Sequence, residues 1–223
     1  MKKLAIVGAQ ERTRANAPFD NPEYDIWVVS NWANAEWVKR VDAVIEVHNQ
    51  GIYKNHPKDP EYWHWLQNNE TAMIYMQYPD KSVPRSVEMP IEELQALTDN
   101  LHILGQSAQV INSSIAFSLA LAINLGYEQI DIYGVEMAAS SEYRSQQPIF
   151  AFWVGYAAGK GVKLNVNCTE GLFIQPLYGY ESMYNNEELH NYLSGLKEQE
   201  AETMKQKFMI DGAMQIIRQL IGE

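Results

Sequence analysis

Gly8-Ala9-Gln10, with Arg12 and Arg14 close behind, brings together a residue without a side chain, an amide and two guanidinium groups. Such a set suits an anionic ligand, because glycine lets a backbone come close and arginine pairs with phosphate. Ser30-Asn31 and His48-Asn49 offer hydroxyl, amide and imidazole groups fitted to a base and a ribose. Gly134 is followed closely by Glu136, and Asn112-Ser113-Ser114 precedes a long apolar run. The exposed amides at Ser113 and Ser114 can receive an anion if a helix starts there. Glu136 or His48 fits a general base that activates an acceptor hydroxyl, a role typically worth ~10²–10⁴-fold in rate. Each of these groups also has a structural reading: His48 as a hydrogen-bonded histidine, the two serines as a helix cap, Glu136 as a brace for its loop.

Several chemistries are excluded by pattern. The chain contains no GxGxxG and no GxxxxGK[ST], so neither a standard dinucleotide site nor a P-loop is expected. No GxSxG elbow is present. Five histidines and one cysteine show no structural zinc spacing, and no metal site is expected. His56 and His64 fall in an aromatic stretch and read as packing.

The candidate groups gather at the carboxyl ends of six β-rich runs: Leu4–Val7, Asp25–Ser30, Ala43–Val47, Thr71–Gln77, Gln129–Tyr133 and Val162–Val166. Continuous apolar runs of this length, separated by helix-compatible stretches, read as parallel strands covered on both faces. Helices are expected from Asn31 or Asn34 through Lys39, from Asp59-Pro60 through Gln67, over Ser114–Gly126 and over Pro148–Lys160. Pro79, Pro84 and Pro90 mark residues 78–92 as an ordered loop around a short excursion. The predicted fold is α/β: a Rossmann-like, mainly parallel sheet of six or seven strands with helices on both faces and a C-terminal amphipathic helix. Leu4–Val7 is expected at its centre with Ile130–Tyr133 beside it. In open sheets of this kind, ligands bind beyond the carboxyl ends of the strands, where the strand order reverses.

Residues 1–185 are read as one nucleotide-binding domain and residues 186–223 as a helical arm. Along the arm Leu189, Leu193, Leu196, Met204, Phe208, Ile216 and Leu220 follow helical spacing. That stripe either packs on the chain's own sheet or makes a homodimer. Hydrophobic residues are 46% of the chain, enough for a large core and against a disordered protein. Net charge is −11, from 17 Lys+Arg against 28 Asp+Glu, which disfavours bulk nucleic-acid binding. No apolar run approaches the ~18 residues of a membrane span. The start, MKKLAIVGAQ, reads as a first strand and not a signal peptide. Cys168 is the only cysteine, so no intrachain disulfide forms; a cytoplasmic setting fits.

The segment KLAIVGAQERTRANAPFDNPEYDIWVVSNW resembles the opening of a group of bacteriophage and prophage proteins of unassigned role. The unit SSIAFSLALAINLGYEQIDIYGVEMAASSEYRSQQP and the later LYGYE, Leu177–Glu181, match the same group, so the likeness covers about residues 1–181. More distantly, the layout is similar to the superfamily that joins bacterial sialyltransferases of the CstII kind with hydroxymethylpterin diphosphokinase MptE-like proteins. This resemblance implies a Rossmann-like transferase with a nucleotide or nucleotide-sugar at the first glycine loop. Asn31 and Gln10 stand where those sialyltransferases use amides to hold the nucleotide. IYGVEM matches their hydrophobic-G-x-D-x element, with Glu136 in place of the aspartate. Two features depart from the pattern. Ala9-Gln10-Glu11 replaces a Gly-Pro-Ser turn, and Tyr143, Arg144 and Gln147 stand where those enzymes carry a histidine.

The expected function is therefore a transferase using a nucleotide-activated donor, best described as a phage glycosyltransferase. Gly8, Gln10, Arg12, Asn31 and Gln147 bind the nucleotide in this reading, with Ser113 and Ser114 near a phosphate. Glu136 or His48 supplies the base, and Tyr143 protonates or hydrogen-bonds the departing phosphate. No cofactor is required beyond the nucleotide or nucleotide-sugar ligand. Two rivals are a non-catalytic protein that sequesters a nucleotide, and a pterin or nucleotide pyrophosphokinase. The second needs acidic residues for magnesium, and only Glu136 and Glu142 are near the right place.

Overall fold

The computed structural model describes residues 1–137, 141–167 and 186–222, without the side chains of 141–143 and 186–188. The chain divides into two compact units, Met1–Leu172 and Phe173–Glu223. Among its described residues the first holds nine strands: β1 (Lys3–Val7), β2 (Tyr24–Val29), β3 (Ala43–Glu46), β4 (Met73–Met76), β5 (Ser86–Glu88), β6 (His102–Ile103), β7 (Gln106–Ser107), β8 (Gln129–Tyr133) and β9 (Lys163–Val166). Its helices are α1 (Glu11–Arg14), α2 (Gln50–Lys54), α3 (Tyr62–Asn68), α4 (Ile91–Ala96), α5 (Ser114–Asn124) and α6 (Ser141–Gly159), with a 3-10 turn over Ser30–Asn34. The second unit holds the long helix α7 (Asn186–Ile221).

Seven strands form one sheet in the order β5-β4-β3-β2-β1-β8-β9, and every pairing in it is parallel. As expected from sequence, β1 lies inside the sheet with β8 beside it, although the middle place of the seven belongs to β2. Successive side chains of a strand face opposite sides, and both sides are buried here. Leu4, Ile6, Trp27, Ile45, Ile130 and Ile132 join one core with α5 and α6; Ala5, Val7, Ile26, Val28, Val44 and Ile74 join another with Tyr53, Tyr62 and Leu66. Doubly covered strands need apolar residues at every position, which is why they read as unbroken runs rather than alternating ones. Two buried carboxylates interrupt the pattern, Glu46 on β3 and Asp131 on β8; Asp131, 4% exposed, accepts from Tyr24 Oη (2.8 Å), Gln129 Nε2 (3.0 Å) and Asn165 Nδ2 (2.7 Å). Burial and that carboxylate push the Tyr24 hydroxyl up to about 12.

Several expectations need correction. The helix from Asn31 or Asn34 to Lys39 is only the 3-10 turn, capped by Val29, after which Ala35 is extended (φ −75°, ψ 142°). Ser30 enters it in the left-handed region at φ 49°, a geometry a side-chain propensity does not announce. The loop read over 78–92 contains β5, a three-residue edge strand too short to show a period. The helix expected from Pro148 begins at Ser141 and carries Pro148 inside it. A proline lacks the N–H that a helix interior uses, so sequence places it at the first turn more readily than in the middle. The helix starting at Asp59-Pro60 begins at Tyr62, with Asp59 Oδ1 accepting from the Glu61 amide (3.2 Å). Ser113 does cap α5, its Oγ accepting from the Ala116 amide (3.3 Å). No helix among the described residues is long and apolar enough to cross a membrane.

Candidate functional site

Strand order runs outward from β1 in both directions, to β2 on one side and β8 on the other, so the chain reverses at β1/β8. The carboxyl ends of these two strands meet tightly. Gly8 N donates to Tyr133 O (2.8 Å), Gln10 N donates to Gly134 O (2.9 Å), and Gly134 N donates to Thr13 Oγ1 (2.7 Å). A Cβ on Gly8 would lie 2.4 Å from the Gly134 carbonyl oxygen, and one on Gly134 2.4 Å from that of Gly8. The close backbone approach that glycine allows at position 8 is thus taken up by Gly134. The amides of Gly8 and Gln10 are also committed to β8.

Side chains reinforce the junction. Gln10 Nε2 donates to Glu136 Oε2 across it (2.6 Å), while Gln10 Oε1 caps α1 through the Arg12 amide (3.2 Å). The two arginines of this loop differ sharply. Arg14 donates to the Ala9 carbonyl, pairs with Glu11 (3.0 Å) and lies over the Trp37 ring at 4.6 Å. Arg12 is exposed. Sequence named Gly8, Gln10 and Glu136 but missed Thr13, whose only cue was its place one turn after a strand end.

At the next two strand ends lies a second polar group. Glu46, the last residue of β3, is fully buried. Its Oε2 accepts from Ser30 Oγ and Tyr62 Oη (both 2.8 Å), and its Oε1 accepts from the His48 amide (3.0 Å) and lies 2.7 Å from His48 Nδ1. Burial pushes the Glu46 carboxyl up, yet the hydrogen bonds from His48, Ser30 and Tyr62 outweigh it and hold it below the usual carboxylate range. Tyr62 moves the other way: burial and the Glu46 charge raise its hydroxyl well above its ordinary value, so it stays a donor. Sequence named His48 and missed Glu46. The signal was present, since an acid inside the apolar run AVIEV on a doubly covered strand has to be buried and partnered.

Asn31 follows Ser30 and is 9% exposed; its side-chain amide makes no hydrogen bond to the described residues and is not sealed from solvent. Ser113 and Ser114 begin α5, which runs back towards the start of β8 and so brings its amino end to the carboxyl edge of the sheet. α6 runs the same way into β9, placing Gln147 two turns from its start. The Tyr143 side chain and the LYGYE segment lie outside the described residues. The structure therefore brings Gly8, Gln10 and Glu136 into one bonded cluster and puts His48 in a second, with Asn31 next in sequence to Ser30 of that cluster. Ser113, Ser114 and Gln147 share the edge without a bond to either. Among the described residues, no group of three or more His, Cys, Asp or Glu side chains converges as a metal site. An open groove of about 610 Å³, lined by Val38, Arg40, Asp42, Trp65 and Thr71 among others, sits at the opposite, amino-terminal edge of β3 and β4.

No family model matches the chain, and no curated protein matches it. Solved structures do. A variant of the sialyltransferase CST-II in complex with CMP is similar at 16% identity over 83% of this chain and 92% of that one, with a TM-score of 0.51. The sialyltransferase CstII from Campylobacter jejuni, in complex with the substrate analogue CMP-3FNeuAc, gives 15% identity, 76% and 82% coverage and a TM-score of 0.48. The monofunctional alpha-2,3-sialyltransferase Cst-I from Campylobacter jejuni gives 12%, 90%, 95% and 0.48. At these identities the likeness is one of fold.

Proposed function

We propose that this chain is a transferase acting on a nucleotide-activated donor, in the manner of a glycosyltransferase, with the nucleotide seated at the carboxyl ends of β1 and β2. The observation that carries this reading is Asn31. Asn31 is nearly buried as a residue, yet its amide still reaches solvent and makes no hydrogen bond to the described residues, so its donor and acceptor are open to a ligand at this edge. Its position supports the same reading, since it follows the strand beside the reversal of strand order. Gln10, held by Glu136, stiffens the neighbouring loop, and Arg12 supplies exposed positive charge in a chain of net charge −11. Ser113 and Ser114 offer a helix start to phosphate, and Gln147 joins them from α6; the role of Tyr143 at the departing phosphate rests on sequence alone. His48 or Glu136 takes the acceptor's proton. Because a CST-II structure of this fold carries CMP, cytidine nucleotides are the first probes.

Calorimetry with CMP and with UMP tests the reading. Arg12→Ala is expected to weaken binding about tenfold, the loss of one charge-assisted hydrogen bond of ~1.5–3 kcal/mol. Affinity unchanged by this substitution removes Arg12 from the site. Tight binding with no turnover of any CMP- or UDP-linked donor favours a sequestering protein over an enzyme.

The apolar residues of α7 are exposed along its length, among them Leu189, Leu193, Leu196, Met204, Phe208, Ile216 and Leu220. A second copy of the chain covers them in this reading. Sedimentation is expected to show a dimer at micromolar concentration and a monomer for Phe208→Glu; a monomeric wild type contradicts the assignment.

A further inference from the structure

We propose that Glu46 is the positioning residue for His48, and that His48 so held is the general base of the crevice; the catalytic half rests on the transferase reading above. The case begins with acceptor capacity. An ionised carboxylate has about four lone-pair sites and can only accept. Glu46 has all of them occupied, by Ser30 Oγ and Tyr62 Oη on Oε2 and by the amide and Nδ1 of His48 on Oε1. The carboxyl is fully buried and stays ionised because these donors surround it. Only one tautomer of neutral His48 satisfies this arrangement. The proton sits on Nδ1, where Glu46 accepts it, and the lone pair sits on Nε2.

The other described contacts agree. Ser30 Oγ lies 3.4 Å from His48 Nδ1, but its own proton is given to Glu46, so towards the imidazole it is an acceptor and not a nucleophile. The left-handed backbone of Ser30 carries the chain from β2 into the 3-10 turn while its hydroxyl stays on Glu46. Tyr62 fixes the same carboxylate from α3, so three elements hold one group. The His48 side chain is 39% exposed while Glu46 beneath it is 0% exposed. An imidazole oriented from behind by a buried carboxylate, with its outer nitrogen bearing the lone pair, is the arrangement in which a histidine serves as a base.

The second candidate base is differently employed. Glu136 has one oxygen taken by Gln10 at 2.6 Å, a bond that ties the ends of β1 and β8 together. In the step assigned to His48, Nε2 takes the proton of an acceptor hydroxyl as that oxygen bonds to the donor sugar carbon. The bond from that carbon to the nucleotide phosphate oxygen breaks, and its electron pair leaves with the phosphate. The imidazolium so formed keeps its Nδ1–H on the Glu46 carboxylate, which offsets the new charge.

Two measurements test this on the full chain. Long-range ¹H–¹⁵N correlation spectra, assigned by loss of signals in His48→Gln, are expected to show neutral His48 protonated on Nδ1. An Nε2-protonated ring overturns the positioning role whatever the protein does. The second measurement uses CMP-linked sialic acid as donor. His48→Gln is expected to lose about 100-fold or more in kcat, and Glu46→Gln about tenfold with KM held within a few-fold. Equal kcat in wild type and His48→Gln overturns the base. A wild type that binds CMP and turns over no donor sinks the base together with the transferase reading, while the tautomer stands on its own result.

Discussion

Gly134→Ala is expected to destabilise the protein by about 2–5 kcal/mol, more than a substitution at any other described glycine of the sheet domain apart from its partner Gly8. Two costs add. The residue sits at φ +63°, where a Cβ costs about 1–2 kcal/mol. The new methyl would also lie 2.4 Å from Gly8 O and 3.0 Å from Arg14 Cβ, and neither backbone can yield without breaking the Gly8–Tyr133 and Gln10–Gly134 bonds. Overpacking of this kind costs about 1–3 kcal/mol. For a chain of this size the sum lowers Tm by about 10 °C. Gly126→Ala is the control, because it shares a left-handed φ of +73° but meets nothing within 4 Å. Thermal unfolding followed by circular dichroism should separate the two. Equal losses in both variants would mean that the two strand ends do not pack backbone to backbone.

Glu46→Ala carries the second large effect, about 3–5 kcal/mol. The substitution orphans the Ser30 and Tyr62 hydroxyls in a buried space and leaves a cavity beside them. Tyr62→Phe removes only one donor and leaves the other three hydrogen bonds of the carboxylate in place, so about 1 kcal/mol is expected for it. Urea unfolding measures both. A loss below 1 kcal/mol for Glu46→Ala would show that the carboxylate is solvated and the network is not a closed one.

The sheet was legible because its signal is local. Each of β1, β3 and β8 is an apolar run ending in a glycine or a polar residue, and the intervening α5 has both a capping serine and the left-handed Gly126 after it. The strand ends that hold the candidate site followed from the same reading, which is how Gly8, Gln10, His48 and Glu136 were found. What escaped depends on contacts between distant residues. Gly8 and Gly134 are each plain strand-ending glycines until the parallel pairing of β1 and β8 sets them face to face. Arg12 and Arg14 are equivalent in sequence, and only the short α1 turns one onto Ala9 and Trp37 and leaves the other outside. Glu46 was visible as an acid in an apolar run, but its partners come from Ser30 and Tyr62, sixteen residues away on either side. The 3-10 turn at Ser30 and the edge strand β5 are too short for any periodicity to reveal.

The transferase proposal requires a nucleotide at the carboxyl edge of β1 and β2. A crystal structure of the full chain soaked with CMP tests it most directly. Density for the nucleotide is expected beside the loop Gly8–Arg12, with the Asn31 side-chain amide hydrogen-bonded to it. CMP found instead in the groove of Arg40, Asp42 and Trp65 at the amino-terminal edge, or absent from the crystal at millimolar concentration, would contradict it.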